Sequence, residues 1–184
     1  MSETWFTSDL HLGHANILKF EGTNGSLLRP GFDNVLEMKD HIFKKWRETV
    51  KPGDKVYVLG DVALGSLGRE HLLDMRILPG NKYLVLGNHD KYDMGVYSRV
   101  FHHVYGARFL DGFWLTHIPV HPRSFGFRKH SNIHGHTHDS CVTQYDGFDD
   151  PRYFNVSVEF WDYTPVPFEL LKKQAQSRIG GSLV

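Results

Sequence analysis

Trp5-Phe6-Thr7-Ser8-Asp9-Leu10-His11 is the stretch on which the reading of this sequence turns. It starts apolar and ends on a carboxylate and an imidazole two residues apart. Side chains on an extended strand alternate with a period of two, so Asp9 and His11 point the same way. Such a pair is half of a metal site, and further ligands are expected at the ends of later strands. The sequence supplies them in order. Gly60-Asp61 closes Val56-Tyr57-Val58-Leu59, and Gly87-Asn88-His89-Asp90 closes Tyr83-Leu84-Val85-Leu86. His117 closes Phe113-Trp114-Leu115-Thr116, and Gly135-His136-Thr137-His138 follows Asn132-Ile133-His134. Turns favour glycine, aspartate and asparagine, but they have no need of a histidine after so many strand-like runs.

The segments between these clusters set the fold class. Asn34 and Glu37 have the spacing of a helix cap with a reciprocating acid. Val35, Met38, Ile42 and Trp46 then recur at helical steps until Lys51-Pro52-Gly53-Asp54. A strand over Lys55 to Leu59 follows, then a second helix with Leu72, Leu73 and Met75, which Ser66 is expected to cap. The next strand runs from Lys82 to Leu86. Alternating strands and helices predict right-handed βαβ units with parallel pairing, in which function gathers at the carboxyl ends of the strands.

After His103 the texture changes. Asp111-Gly112, between His103 to Leu110 and Phe113 to Thr116, is a two-residue hairpin signal. Later strands are expected over Ser131 to Ile133 and Tyr153 to Glu159. Pro165 and Pro167 introduce a terminal helix with Phe168, Leu170 and Leu171. The second half therefore reads as a more antiparallel sheet. The expected architecture is α/β: two mixed sheets packed face to face with flanking helices, in one domain over residues 1–184. Its core is expected over about 5–175, with 176–184 a frayed tail.

Composition bounds the function. A chain of 184 residues is long enough for a sizeable core. Its formal net charge is zero, which does not favour long nucleic acid as a partner. The single cysteine, Cys141, cannot form an internal disulfide, and Met1-Ser2-Glu3-Thr4 lacks a basic region before an apolar core. No apolar run approaches the roughly 18 residues of a membrane span. A cytoplasmic protein with no membrane partner is expected.

The candidate ligands are two carboxylates (Asp9, Asp61), one amide (Asn88) and four imidazoles (His11, His117, His136, His138). A tetrahedral zinc needs only four ligands, whereas two ions sharing a bridging carboxylate do need this many. Oxygen and nitrogen donors without sulfur suit two divalent transition-metal ions: manganese above all, with iron, nickel, cobalt or zinc as alternatives. Paired cations of this kind lie roughly 3.5–4 Å apart in phosphoester-cleaving sites. Four positive charges against two carboxylates leave about two surplus, which favours a phosphate oxyanion. A bridging water would be largely hydroxide near neutral pH, so no side-chain nucleophile is needed.

Taken together, Asp9-Leu10-His11, Gly60-Asp61, Gly87-Asn88-His89-Asp90, His117 and Gly135-His136-Thr137-His138 resemble the five motifs of the calcineurin-like metallophosphoesterases, over residues 5 to about 160. The chain is the size of the small bacterial and phage members. The resemblance implies a four-layer α/β/β/α sandwich. It also implies one ion held by Asp9, His11, Asp61 and His138 and another by Asp61, Asn88, His117 and His136, with Asp61 bridging. His89 would be a non-ligand facing substrate, and imidazole has the right acidity to protonate a departing alkoxide. Asp90 is a candidate to orient His89 and is counted with it as catalytic.

The protein Ser/Thr phosphatase branch carries an Asp-Arg pair three and four residues after the bridging aspartate. Leu64 and Gly65 stand there in this chain. With less charge to clamp a dianionic monoester, a small phosphodiester, such as a cyclic nucleotide or short nucleotide ester, is the expected substrate. A nucleotide phosphomonoesterase or pyrophosphatase is the alternative, and a non-catalytic metal-binding scaffold the reading from another class. Arg29, His121, Arg123 and Arg128 are candidate substrate contacts.

Overall fold

The computed structural model describes residues 2–126 and 130–179. Strands β1 (Thr4–Thr7), β2 (Lys55–Val58), β3 (Asn81–Val85) and β4 (His103–Tyr105) pair in parallel, and β9 (Val166–Pro167) adds antiparallel to β1, giving the order β4-β3-β2-β1-β9. The second sheet has the order β5-β6-β7-β8, from β5 (Arg108–Leu110), β6 (Phe113–Leu115), β7 (Ser131–His134) and β8 (Tyr153–Asn155). Helices α1 (Val35–Thr49), α2 (Gly68–Asp74), the short α3 (Met94–Tyr97) and α4 (Phe168–Ile179) flank the sheets. This is the expected pair of mixed sheets with flanking helices.

The period of two sorts the core into layers. Val56 and Val58 of β2 join Met38, Ile42, Phe43, Trp46 and Leu72 on the helix side. The intervening Tyr57, with Leu59 beyond it, faces the other way and joins Phe113, Leu115, Ile133 and Phe154 of the second sheet. On that inner face, Phe6, Tyr57, Tyr83 and His103 stand in register across four strands. Their rings follow one another at 5.5, 4.9 and 5.9 Å, the Phe6–Tyr57 and Tyr57–Tyr83 pairs each adding roughly 0.5–1.5 kcal/mol beyond burial. Phe168 of α4 closes the layer edge-on to Phe6 and Phe113.

The cap of α1 forms as predicted: the Asn34 side chain accepts from the Leu36 and Glu37 amides. Four expectations differ. The residue before α2 is Leu67, with no side-chain cap, so Ser66 does not fill that role. The run from His103 to Leu110 is not one strand: the chain leaves the first sheet after Tyr105 and enters the second at Arg108, with Gly106 between. In the second sheet only β5–β6 is antiparallel, joined through Asp111 and Gly112, both at positive φ. Long crossovers make β6–β7 and β7–β8 parallel. Finally, α4 continues to Ile179, past the expected end of the core; residues 180–184 lie outside the described residues. Among the described residues no helix is long and apolar enough to cross a membrane.

Buried Asp54 ties the start of β1 to the loop after α1. It accepts from the Glu3 amide, the Trp5 indole and the Lys51 amide, each at 2.9 Å. Burial pushes its carboxyl up, but these donors outweigh that and hold it below the usual range. A depressed folded pKa stabilises fully above the unfolded value of about 3.9, and the contribution is lost as pH falls through the folded value. Asp54→Ala leaves three donors without an acceptor and should cost about 1–3 kcal/mol at neutral pH. Urea unfolding should show that deficit, and show it shrinking once the pH drops below about 4.

Candidate metal centre

Every predicted ligand follows a strand end, where the backbone turns sharply. Asp9, His11, Asp61, His136 and His138 all have left-handed φ, between 48 and 70°. This region costs an L residue roughly 1–2 kcal/mol, and aspartate is among the few types that visit it. The turns aim the side chains of both sheets at one place. Glycine makes the approach possible: a Cβ on Gly135 would stand 1.8 Å from Ser8 Oγ and 2.3 Å from Asp9 Oδ2, and one on Gly87 would stand 2.3 Å from Asp61 Oδ1.

Two clusters result, Asp9 with His11 and His138, and Asp61 with His117 and His136; the ligand atoms of each lie within 4.8 Å of one another. Asp9 is fully buried and its two oxygens differ. Oδ2 accepts from Ser8 Oγ at 2.6 Å, the His136 amide at 2.9 Å and Ser157 Oγ at 3.0 Å. Among the described residues Oδ1 has no hydrogen-bond partner, and neither does His11 Nε2, 3.8 Å away. Two buried polar atoms facing each other beyond hydrogen-bond reach fit ligands that share a cation, since each would stand about 2.1 Å from it. Asp61 Oδ2 lies 3.8 Å from His11 Nε2 and 3.3 Å from His117 Nε2, so this one oxygen stands between the clusters. Asn88 Oδ1 joins the second cluster, 2.9 Å from His117 Nε2.

The ring nitrogens are sorted for this task. His117 Nδ1 is 2.8 Å from the Leu59 carbonyl, and His138 Nδ1 is 3.0 Å from Glu159 Oε1. Carbonyl and carboxylate oxygens only accept, so both Nδ1 atoms carry protons and Nε2 is left facing the carboxylates. His14 stands behind His11, with their Nδ1 atoms 3.3 Å apart. Burial raises the Asp9 carboxyl, but the rings of His11, His117 and His138 overcome this and hold it well below the usual range. Burial also raises Asp61, and the His117 ring and the His89 amide bring it down. Burial pushes His11 and His136 toward the neutral form a cation requires. Burial lowers His117 and His138 too, but the carboxylates of Asp61 and Glu159 outweigh it and raise both, so a cation bound there would displace their Nε2 protons. Carboxylate, amide and imidazole donors without sulfur fit a pair of divalent cations.

His89 is exposed, with its amide donating to Asp61 Oδ1 at 2.8 Å and its ring centroid 6.0 Å from that of His11. Asp90 does not orient that ring. Its Oδ2 accepts from the Asp61 and Gly87 amides and its Oδ1 from the Val62 amide, so it fastens the loop backbones instead. Arg29 is not a substrate contact either. It is 1% exposed, donates through Nη1 to the Leu10 carbonyl and through Nη2 to the Asp9 carbonyl, and pairs with Glu159. His121 and Arg123 are exposed on the turn Pro122–Ser124, where the His121 ring accepts from the Arg123 amide. Arg128 lies outside the described residues. Glu159 is the site residue the sequence did not reveal, because Tyr153 to Glu159 read as one strand; β8 stops at Asn155 and Glu159 sits in a 3-10 turn, Val158–Trp161.

Two open clefts adjoin the centre. One, of about 310 Å³, is lined by Ala63, Leu64, Gly65, His89, Lys91 and Tyr92. The other, of about 500 Å³, includes Lys19, Phe20, Leu28 and His138. Neither His121 nor Arg123 lines them.

Comparison with known proteins agrees with this geometry. The family described as calcineurin-like phosphoesterase matches residues 3–179. An uncharacterized protein of Methanocaldococcus jannaschii is 34% identical over 175 residues, covering 94% of this chain and 91% of its own. The gene 66 protein of Mycobacterium phage L5 is 32% identical over 193 residues, covering 88% of each chain. A crystal structure of a protein of unknown function from Aquifex aeolicus superposes with a TM-score of 0.68 at 25% identity, covering 94% of this chain and 99% of that one.

If Asp61 serves both clusters, Asp61→Ala should abolish binding of both cations, whereas Asn88→Ala should weaken only one. Equilibrium dialysis against Mn2+ with elemental analysis measures this directly. Full metal content in the Asp61 variant would remove the shared oxygen from the site.

Proposed function

This chain belongs to the calcineurin-like phosphoesterase family and is a metal-dependent phosphoesterase, and from that premise we propose that it hydrolyses small phosphodiesters, with His89 as general acid. The observation that carries the proposal is the exposed His89 ring, anchored through its own amide to the aspartate that lies between the two clusters. Asp9, His11, Asp61 and His138 would hold one cation, and Asp61, Asn88, His117 and His136 the other. When bound, such a pair supplies Lewis acidity toward phosphate oxygens and toward an attacking water. We favour Mn2+ on the donor set.

The chain's own residues divide the remaining work. His89 gives its ring proton to the departing ester oxygen, which would otherwise leave as a high-energy alkoxide. Asp90, through three backbone amides, keeps the loops of Asp61 and His89 at fixed separation. A diester carries two organic substituents, and the described residues line one cleft that contains His89 and another that contains His138. The leaving substituent belongs in the cleft with His89. There Leu64 and Gly65 offer no second cation for a dianionic monoester. Exposed Lys91, in the same cleft, is the feature that favours the alternative, a nucleotide phosphomonoesterase or pyrophosphatase. The substrate proposed is a small phosphoester or nucleotide rather than long nucleic acid.

The deciding experiment compares hydrolysis of a diester and its matching monoester, with Mn2+ and with chelator, followed by a panel of cyclic and linear nucleotides. A strong monoester preference overturns the diester reading, and no turnover with any divalent ion favours the scaffold. His89→Ala should keep its metal while kcat falls about 10²–10⁴-fold. Full turnover in that variant would remove His89 from the mechanism.

A further inference from the structure

We propose that Arg29 and Glu159 form a buried brace that positions His138, Asp9 and His11 for cation binding, acting on one of the two clusters and not on the other. The inference rests on the two-cation reading above.

A single oxygen, Glu159 Oε1, accepts from Arg29 Nε at 2.8 Å, from Arg29 Nη2 at 2.7 Å and from His138 Nδ1 at 3.0 Å. The pair joins positions 130 residues apart, and both side chains are buried, 0% and 5% exposed. Because this carboxylate only accepts, it fixes the proton of His138 on Nδ1 and turns the bare Nε2 toward Asp9 Oδ1, 4.0 Å away. The same guanidinium reaches the carbonyls of Asp9 and Leu10, which flank the link between two ligands at φ 57 and 49°. One rigid, planar group thus sets the places of all three members of that cluster. The second cluster is supported differently: His117 rests on a neutral backbone carbonyl, that of Leu59. A carboxylate behind an imidazole makes it a better donor to a cation than a carbonyl does. A brace that served packing alone would have no need to contact His138.

The test measures Mn2+ binding to the purified chain by titration calorimetry, with metal-free thermal unfolding as the check on folding. Glu159→Gln keeps the size and one acceptor oxygen but removes the charge. It should weaken one of two Mn2+-binding steps about 10-fold and leave the other unchanged, and Glu159→Ala should bring the loss toward 100-fold. Arg29→Lys, which keeps the charge and part of the reach, should fall between wild type and Glu159→Ala. Folded Glu159→Gln with both steps at wild-type affinity overturns the brace. Should the variants not fold, the wild-type protein decides alone. A long-range 1H–15N spectrum of the metal-free chain in alkaline buffer should show His138 protonated on Nδ1, and a proton on Nε2 overturns the proposal. Wild-type protein that binds no Mn2+ overturns the two-cation reading and the brace with it. Two wild-type steps that the Glu159 variants share overturn the brace alone.

Discussion

Asp9 holds this molecule together at the place where the molecule works. Its Oδ2 accepts from three donors that belong to three different segments: Ser8 at the end of β1, His136 beyond β7 and Ser157 beyond β8. The first segment belongs to one sheet and the other two to its partner, so this oxygen is a seam between the sheets. The backbone continues the seam, with the Val158 amide donating to the Ser8 carbonyl and Ser8 bridging to Ser157. An oxygen that accepts from three donors is held in place, and that holds Oδ1 on the side of His11 Nε2, 3.8 Å away. Fold and site are therefore one constraint seen from the two sides of a carboxylate.

Holding the ligands apart has an energetic consequence. Five ligand residues sit in a backbone region that costs roughly 1–3 kcal/mol each. The surrounding structure over-determines them. Asp90 clamps three amides of the Gly60 and Gly87 turns, and Arg29 clamps two carbonyls of the first turn. Two well-ordered cores on either side of the first sheet supply the stability against which this local cost is set. A cation held by Asp9 and His11 would stabilise the folded chain by mass action.

The sequence showed most of this because strand ends and ligands coincide. A period of two, followed by glycine and a carboxylate or imidazole, is legible without coordinates, and so is the Asn34 cap. What escaped has physical reasons. Gly106 lets the chain change sheets within what reads as one extended run, and no pattern of alternation reports which sheet a strand joins. Parallel pairing of β6, β7 and β8 depends on where long loops return, which Phe113 or Ser131 cannot encode locally. Arg29 reads as a substrate contact, because its burial depends on a partner 130 positions away. Asp90 read as a side-chain orienter, whereas its acceptors serve backbone amides, whose location only the folded turns define.

The placement of these residues bears on the charge balance read from the sequence. Glu159 adds a negative charge behind His138, but Arg29 cancels it, and the pair leaves the surplus of about two untouched. Asp90 is different. Burial and the neighbouring Asp61 push its carboxyl up, against the three backbone amides that donate to it. The residue that reads in the sequence as a catalytic helper is a backbone clamp, and it bears on the site through the loops it fastens.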